Sequence, residues 1–221
     1  MRTGDPVISS FLGSLDCCDS AIYPFRHWLL NRVLPDDVCA AIDRLDVAPP
    51  PIEETLGRRE THNSSRLFFG VEQRAAHPVC DAVACALQSG AVVSRLEQLC
   101  DVTLDGSFAR IEYCLDTEGF WLEPHTDIGA KLFTMLVYLS DDPGSEAWGT
   151  DLLDGPDTLV ATVPFQRNSG CIFIPAADTW HGFRRRPIVG VRRSLIVNYV
   201  RPEWRSRHEL AFPDQAVMGG G

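Results

Sequence analysis

The apolar residues of this chain follow two periods. Up to about residue 104 they recur every three or four positions, and from 105 to 201 they alternate with polar residues in short runs. Pro35-Asp36-Asp37 reads as a helix start, with Val38, Ile42 and Leu45 on one face. A second helix starts near Pro78, carries Val79, Val83 and Leu87, and stops at Ser89-Gly90. A third carries Val92, Val93, Leu96, Leu99 and Cys100, and Arg66-Leu67-Phe68-Phe69 reads as a short strand between the first two. Beyond 105 the strand-like runs are Ser107 to Cys114, Phe120 to Glu123, Leu132 to Ser140, Leu159 to Pro164, Gly170 to Pro175 and Ser194 to Val200. Gly, Pro and Asp clusters separate them, the pattern of a sandwich or barrel. The expected fold class is therefore α+β, mainly β with N-terminal helices. Residues 1–104 give helical support, 105–201 a β core and 202–221 a C-terminal tail, frayed from Met218 to Gly221. With no internal repeat and no dividing linker, 1–221 reads as a single domain. Pro49-Pro50-Pro51 reads as an extended surface connection within it.

Composition agrees with this picture. A chain of 221 residues with 45% hydrophobic and 23% charged residues can bury a full core. The net charge of −10 argues against a nucleic-acid binder that works by neutralising phosphate. That charge is local. Residues 111–160 hold Glu112, Asp116, Glu118, Glu123, Asp127, Asp141, Asp142, Glu146, Asp151, Asp154 and Asp157 against the single base Lys131, and the rest of the chain is neutral. The first twenty residues have no apolar run suited to a signal peptide, and no stretch is long enough to span a membrane. A cytoplasmic protein without membrane partners is expected. None of the eight cysteines forms a C-x-x-C pair, so most of them read as small buried hydrophobes. No feature signals an oligomeric state.

Candidate chemistry concentrates in the β half. His125-Thr126-Asp127 follows the strand-like FWLEP, and His181 follows GCIFIP. Two imidazoles and a carboxylate on neighbouring strands can occupy one face of a metal and leave three positions open, as non-haem Fe(II) sites do; Ni, Co or Zn would also fit such ligands. Further on, Gly190-Val191-Arg192-Arg193-Ser194 enters another strand. An Arg fork binds a carboxylate bidentately, and Ser194 shares a strand face with Arg192. Arg193 points the opposite way, and a one-residue slip of register would exchange the two. His27, His62, His77 and His208 have no partner at metal spacing. Among aromatics, Trp180 directly precedes His181, and Trp121 and Trp148 are further candidates for the rim or core of a pocket; Glu123 shares strand parity with His125.

In order, His125-x-Asp127, His181 and Arg192-x-Ser194 resemble the motif set of the Fe(II)/2-oxoglutarate-dependent oxygenases, in particular the prolyl-4-hydroxylase-like branch. Thr134 to Asp142, through Tyr138-Leu139-Ser140, and Gly149-Thr150-Asp151-Leu152 are similar to two further strands of that branch. The resemblance covers about residues 107–201. It implies a double-stranded β-helix, or jelly roll, as the core. It implies Fe(II) held by His125, Asp127 and His181, which would also be the catalytic centre. It implies 2-oxoglutarate as cosubstrate, its distal carboxylate held by Arg192 and Ser194 with Tyr138 and Tyr113 beside them. Three extra residues separate Tyr113 from the metal motif relative to the family. Dioxygen is the oxidant and ascorbate a supporting reductant. The implied reaction couples oxidative decarboxylation of 2-oxoglutarate to oxidation of a substrate C–H bond, by hydroxylation or ring closure. Related halogenases lack the carboxylate, so Asp127 argues against halogenation.

The acidic window surrounds the metal motif, and a carboxylate-rich mouth would attract a cation. This points to a small polar substrate, such as a cationic amino sugar or aminoglycoside-type intermediate of natural-product (antibiotic) biosynthesis, with Trp180, Glu123 and Trp121 as candidate substrate contacts. The alternatives are a peptidyl-prolyl or amino-acid hydroxylase, and a non-catalytic jelly-roll binding module.

Overall fold

The structure is a computed structural model that describes residues 4–49, 56–58, 66–127 and 129–219. The Pro50-Pro51 part of the proline run and His62 lie outside the described residues. The β half forms β4 (Phe108–Asp116), β5 (Leu122–His125), β6 (Lys131–Tyr138), β7 (Asp151–Asp154), β8 (Thr158–Thr162), β9 (Ser169–Phe173), β10 (His181–Phe183) and β11 (Arg192–Val200), of which β10 was not among the expected runs and β7 only through the resemblance. Ahead of them lie β1 (Asp19–Ala21), β2 (His27–Asn31) and β3 (Arg66–Phe68), among helices α1 (Pro6–Asp16), α2 (Asp36–Asp43), α3 (Val71–Ala76), α4 (Pro78–Gln88) and α5 (Gly90–Cys100).

Two antiparallel sheets face each other. The larger runs β1-β2-β9-β6-β11-β4-β3 and the smaller β5-β10-β7-β8. This is the jelly roll. Sequence neighbours such as β5 and β6 sit in opposite sheets, which closes the strands around a common interior. The first 104 residues are not purely helical: β1, β2 and β3 extend the larger sheet at both edges. Strands of three and five residues are too short to show a period, so pairing with β9 and β4 establishes them. Helix α1 carries its own start signal. Asp5 accepts from the backbone N–H of Val7 at 2.9 Å, and Pro6 opens the first turn.

The larger sheet is two-faced. On β4, Ala109, Ile111, Tyr113 and Leu115 turn outward; on β6, Phe133, Met135 and Val137; on β11, Leu195, Val197 and Tyr199. These pack on the apolar stripes of the helices, including Phe11 and Leu15 of α1, Val83 and Leu87 of α4, and Val93 and Leu96 of α5. The Tyr199 hydroxyl donates to the Leu87 carbonyl at 2.6 Å and ties sheet to helix. The alternate residues turn inward, toward the smaller sheet. Where the sheets touch, Cys114, Leu136, Tyr138, Cys171, Phe173 and Phe183 form a second apolar core. Where they part, a cavity remains.

The C-terminal tail is ordered further than its sequence suggests. Val217 donates to the Ser107 carbonyl at 2.8 Å, Leu210, Ala211 and Val217 are buried, and Gly219 donates to Asp105 at 3.0 Å. Gly220 and Gly221 lie outside the described residues. Among the described residues, no single helix is long and apolar enough to cross a membrane.

Candidate functional site

His125, Asp127 and His181 converge on one wall of the cavity, with one ligand atom of each lying within 4.8 Å of the others. Strand pairing produces this. β10 runs antiparallel to β5, with His181 opposite His125, and the rings lie 4.4 Å apart. Gly182 sits where the strands cross: a Cβ there would stand 3.1 Å from the Leu122 carbonyl oxygen and 3.2 Å from that of Glu123, tighter than ordinary packing.

Each imidazole is oriented by a carbonyl two residues back. His125 Nδ1 lies 2.8 Å from the Glu123 oxygen, and His181 Nδ1 lies 2.9 Å from that of Thr179. A carbonyl only accepts, so both Nδ1 atoms carry the proton and both Nε2 lone pairs are left for a metal. Burial, together with neighbouring His125, pushes the His181 pKa down to about 4, so its imidazole is neutral and ligand-ready at neutral pH. Asp127 is gripped from two sides. Lys131 Nζ lies 2.6 Å from Oδ1, and the Thr134 hydroxyl donates to Oδ2 at 2.7 Å. Burial alone would raise this carboxyl, but Lys131, His181 and Thr134 outweigh it and hold it at about 2. Thr134, the first residue of the run that resembles a family strand, is thus an orienting partner of the carboxylate.

The register puts the two adjacent arginines on opposite faces of the strand. Arg192 faces the cavity, where Nη1 lies 2.7 Å from Asp116 and Nε donates to the Trp148 carbonyl at 2.8 Å. Arg193 faces outward and pairs with Asp142 at 3.5 Å. A guanidinium has five N–H donors, so Arg192 retains capacity for a further acceptor. Ser194, on the same inner face, is fully buried, and its Oγ has no hydrogen-bond partner among the described residues. Tyr138 lies opposite Ser194; its hydroxyl donates to Thr150 Oγ1 at 2.9 Å, and the Arg192 guanidinium lies 5.9 Å from its ring centre.

Tyr113 does not join them. One residue from Glu112 on β4, it turns to the helix side, where burial pushes its pKa up to about 12 against the pull of a hydrogen-bonded Arg193. Its position beside the cosubstrate is therefore corrected. Trp180 has opposite parity to His181 and does not line the cavity; the Trp121 indole packs on Gly57 beneath the Arg185 guanidinium, 4.6 Å away, and does not line it either. Their proposed substrate contacts are corrected on the same ground. Glu123 does line the cavity, at an exposed rim, 3.4 Å from Arg58.

The opposite wall was not marked by any motif. Glu112 Oε2 lies 2.8 Å from Arg66 and Oε1 2.7 Å from Arg110, whose Nε reaches Glu209 at 2.5 Å. Trp204 closes this wall, with the Arg110 guanidinium 5.2 Å from its ring centre. Arg110 continues inward, donating to Asn198 Oδ1 at 3.3 Å; Asn198 donates to Thr134 Oγ1 at 2.9 Å. A polar chain thus connects the wall to Asp127. The only sequence signal for it was that β4 alternates charged and apolar residues, which normally marks a solvated face.

The whole cavity measures about 580 Å³. Its five cations, Arg58, Arg66, Arg110, Lys131 and Arg192, outnumber its four carboxylates, Glu112, Glu123, Asp127 and Glu209, by one. The acidity of the 111–160 window is thus cancelled in space by arginines from elsewhere in the chain. An acidic mouth is not what the fold builds.

No protein-family model matches the chain, and no curated protein matches it at a significant level. Solved structures do match its fold. A prolyl 4-hydroxylase from Phytophthora capsici superposes on 90% of this chain at a TM-score of 0.58 and 11% identity, with the chain spanning 66% of that protein. A prolyl-4-hydroxylase from Pseudomonas putida matches 91% of this chain and 98% of its own at 0.56 and 15%. HygX from Streptomyces hygroscopicus, solved with nickel and 2-oxoglutarate bound, matches 88% and 90% at 0.53 and 16%. The chain has the jelly-roll fold of these 2-oxoglutarate/Fe(II) oxygenases.

Proposed function

We propose that this protein is an Fe(II)- and 2-oxoglutarate-dependent oxygenase that oxidises a C–H bond of a small polar molecule. The carrying observation is the convergence of His125, Asp127 and His181 in a cavity that Arg192 also lines. The residues fit both groups. Two neutral Nε2 donors and one ionised carboxylate suit a divalent iron and leave positions open beside it. Arg192 offers the fork for a distal carboxylate and Thr150 lines the cavity with it, while Ser194 and Tyr138 are buried on the same pair of strands. When bound, iron, 2-oxoglutarate and dioxygen supply the chemistry: one oxygen atom goes to succinate with loss of carbon dioxide, and the other to the substrate.

The chain's own contribution is placement. The Glu123 and Thr179 carbonyls hold the imidazoles in one tautomer, and Thr134 and Asn198 fix the carboxylate, so little reorganisation is needed when metal enters. Lys131 holds the Asp127 charge, and the carboxylate keeps lone pairs for an ion beside the Lys131 and Thr134 contacts. The cavity wall then sets which C–H bond stands near the metal.

For the substrate, the amino-sugar reading keeps its polar, hydroxyl-bearing part, which suits the hydrogen-bonding wall; its argument from acidic charge loses its ground. Similarity to two prolyl 4-hydroxylases favours peptidyl-prolyl or amino-acid hydroxylation as the second reading. All eight cysteines are free thiols, which supports a reducing, cytoplasmic compartment.

The test is succinate formation from 2-oxoglutarate with added Fe(II) under air. Wild-type protein should form succinate, and Asp127→Ala and His181→Ala should lose both metal uptake and succinate. Full turnover and unchanged metal affinity in those variants would overturn the assignment.

A further inference from the structure

The cavity is lined on the wall away from the metal ligands by Trp204, whose buried Nε1 has no hydrogen-bond partner among the described residues. A buried indole N–H left without an acceptor costs roughly 1–3 kcal/mol, so it points to something that supplies one.

The side chains around Trp204 restrict what that is. Arg110 and Glu112 are more than nine-tenths buried yet line the cavity, and with Arg66 and Glu209 they form a ladder in which each cation meets a carboxylate. The ladder is neutral as a whole, so it gives little preference for a strongly charged ligand. It does place carboxylate oxygens, which accept, beside guanidinium and indole N–H groups, which donate. One simple group is both donor and acceptor at a single atom, the hydroxyl. Several hydroxyls on a ring would meet such alternating partners, and the exposed part of the indole face would take the ring's C–H surface.

We propose that Arg110, Glu112, Glu209 and Trp204 form a substrate subsite that holds a polyhydroxylated ring, such as a sugar or aminocyclitol, while another part of the same molecule stands at the metal. This rests on the oxygenase reading and specifies its substrate class. The chain Arg110–Asn198–Thr134–Asp127 links the subsite to the metal carboxylate, so a ring docked on the ladder is held in register with the oxidising centre.

The experiment uses full-length protein labelled with 15N at tryptophan, where the Trp204 indole N–H resonance is identified by its absence in Trp204→Phe. Three probes are titrated: neamine as an aminocyclitol glycoside, spermidine as a cation without hydroxyls, and an acetylated proline-containing tetrapeptide. Neamine is expected to shift the Trp204 resonance saturably, and Glu209→Gln to weaken that binding roughly tenfold, the loss of about one charged hydrogen bond. Glu209 is less buried than Glu112, so this variant spares the core of the network; an unchanged melting temperature verifies it. A shift with spermidine or the tetrapeptide but not with neamine, no shift with any probe, or unaltered neamine affinity in Glu209→Gln would each overturn the subsite. Nickel uptake, measured separately, should be equal in wild type, Glu209→Gln and Trp204→Phe. Failure of wild type to bind nickel would strike the oxygenase reading, while the indole result would stand or fall alone.

Discussion

The two faces of the β4–β11 strand pair have opposite chemistry. The outer face, with Ile111, Leu195 and Val197, is apolar and packs on helices. The inner face, with Arg110, Glu112, Asp116, Arg192, Ser194 and Asn198, is polar, charged and equally buried. In an ordinary sandwich the polar face meets solvent. Here helices cover the apolar side, and the polar side encloses the cavity. The outer face therefore supplies stability through burial. The inner face holds costly groups in place through mutual pairing, and what it supplies is a site.

The sharpest break in that comparison is Glu112→Ala. It leaves Arg66 and Arg110 without their shared carboxylate and should cost on the order of 3–5 kcal/mol in urea denaturation, the cost of uncovering buried charge. A loss below about 1 kcal/mol would mean the inner ladder is solvated rather than buried. On the outer face, Ile111→Ala should cost about 2–4 kcal/mol by cavity formation while leaving metal uptake intact. Loss of metal binding there would show the faces to be coupled.

Adjacent residues then separate the faces functionally. Arg192→Gln should raise the 2-oxoglutarate KM by roughly ten- to a hundredfold, the loss of about 1.5–3 kcal/mol in charged hydrogen bonding. Arg193→Gln, one residue along and facing outward, should leave KM within about twofold. Equal effects would reject the register. Smallest is Tyr113→Phe, which removes an outer-face hydroxyl. Thermal denaturation should show a loss of roughly 1 kcal/mol or less, and steady-state kinetics no change in 2-oxoglutarate KM.

Much of this was legible in the sequence. The alternating runs between residues 107 and 200 become β4, β6, β9 and β11. His125-x-Asp127 and His181 lie at strand ends, and those ends meet. The helix signals at Pro35 and Pro78 hold, with α4 ending at Gln88 before Ser89. What failed, failed for one reason. Tyr113 was placed by resemblance to a tyrosine of the family, despite three extra residues before the metal motif, whereas its parity with Ile111 and Leu115 assigns it to the helix side. Trp180 and Trp121 were placed by adjacency to the site, and side-chain direction removes them from the cavity. The acidic window was read as a field, yet Glu112 finds Arg66 and Arg110, Asp116 finds Arg192, and Asp151 finds Arg186.

The sequence by itself determined the periods, and with them the strands, the helices and the kinds of atom available to a metal or an anion. Local spacing carries that information, because backbone geometry repeats every two or every 3.6 residues. Only the tertiary structure decided which face of a strand points inward and which charges meet. Glu112 is 46 residues from Arg66 and Glu209 is 99 from Arg110. A strand has two faces that differ by one residue of register, and it is the covering of one face by helices that turns the other into a site.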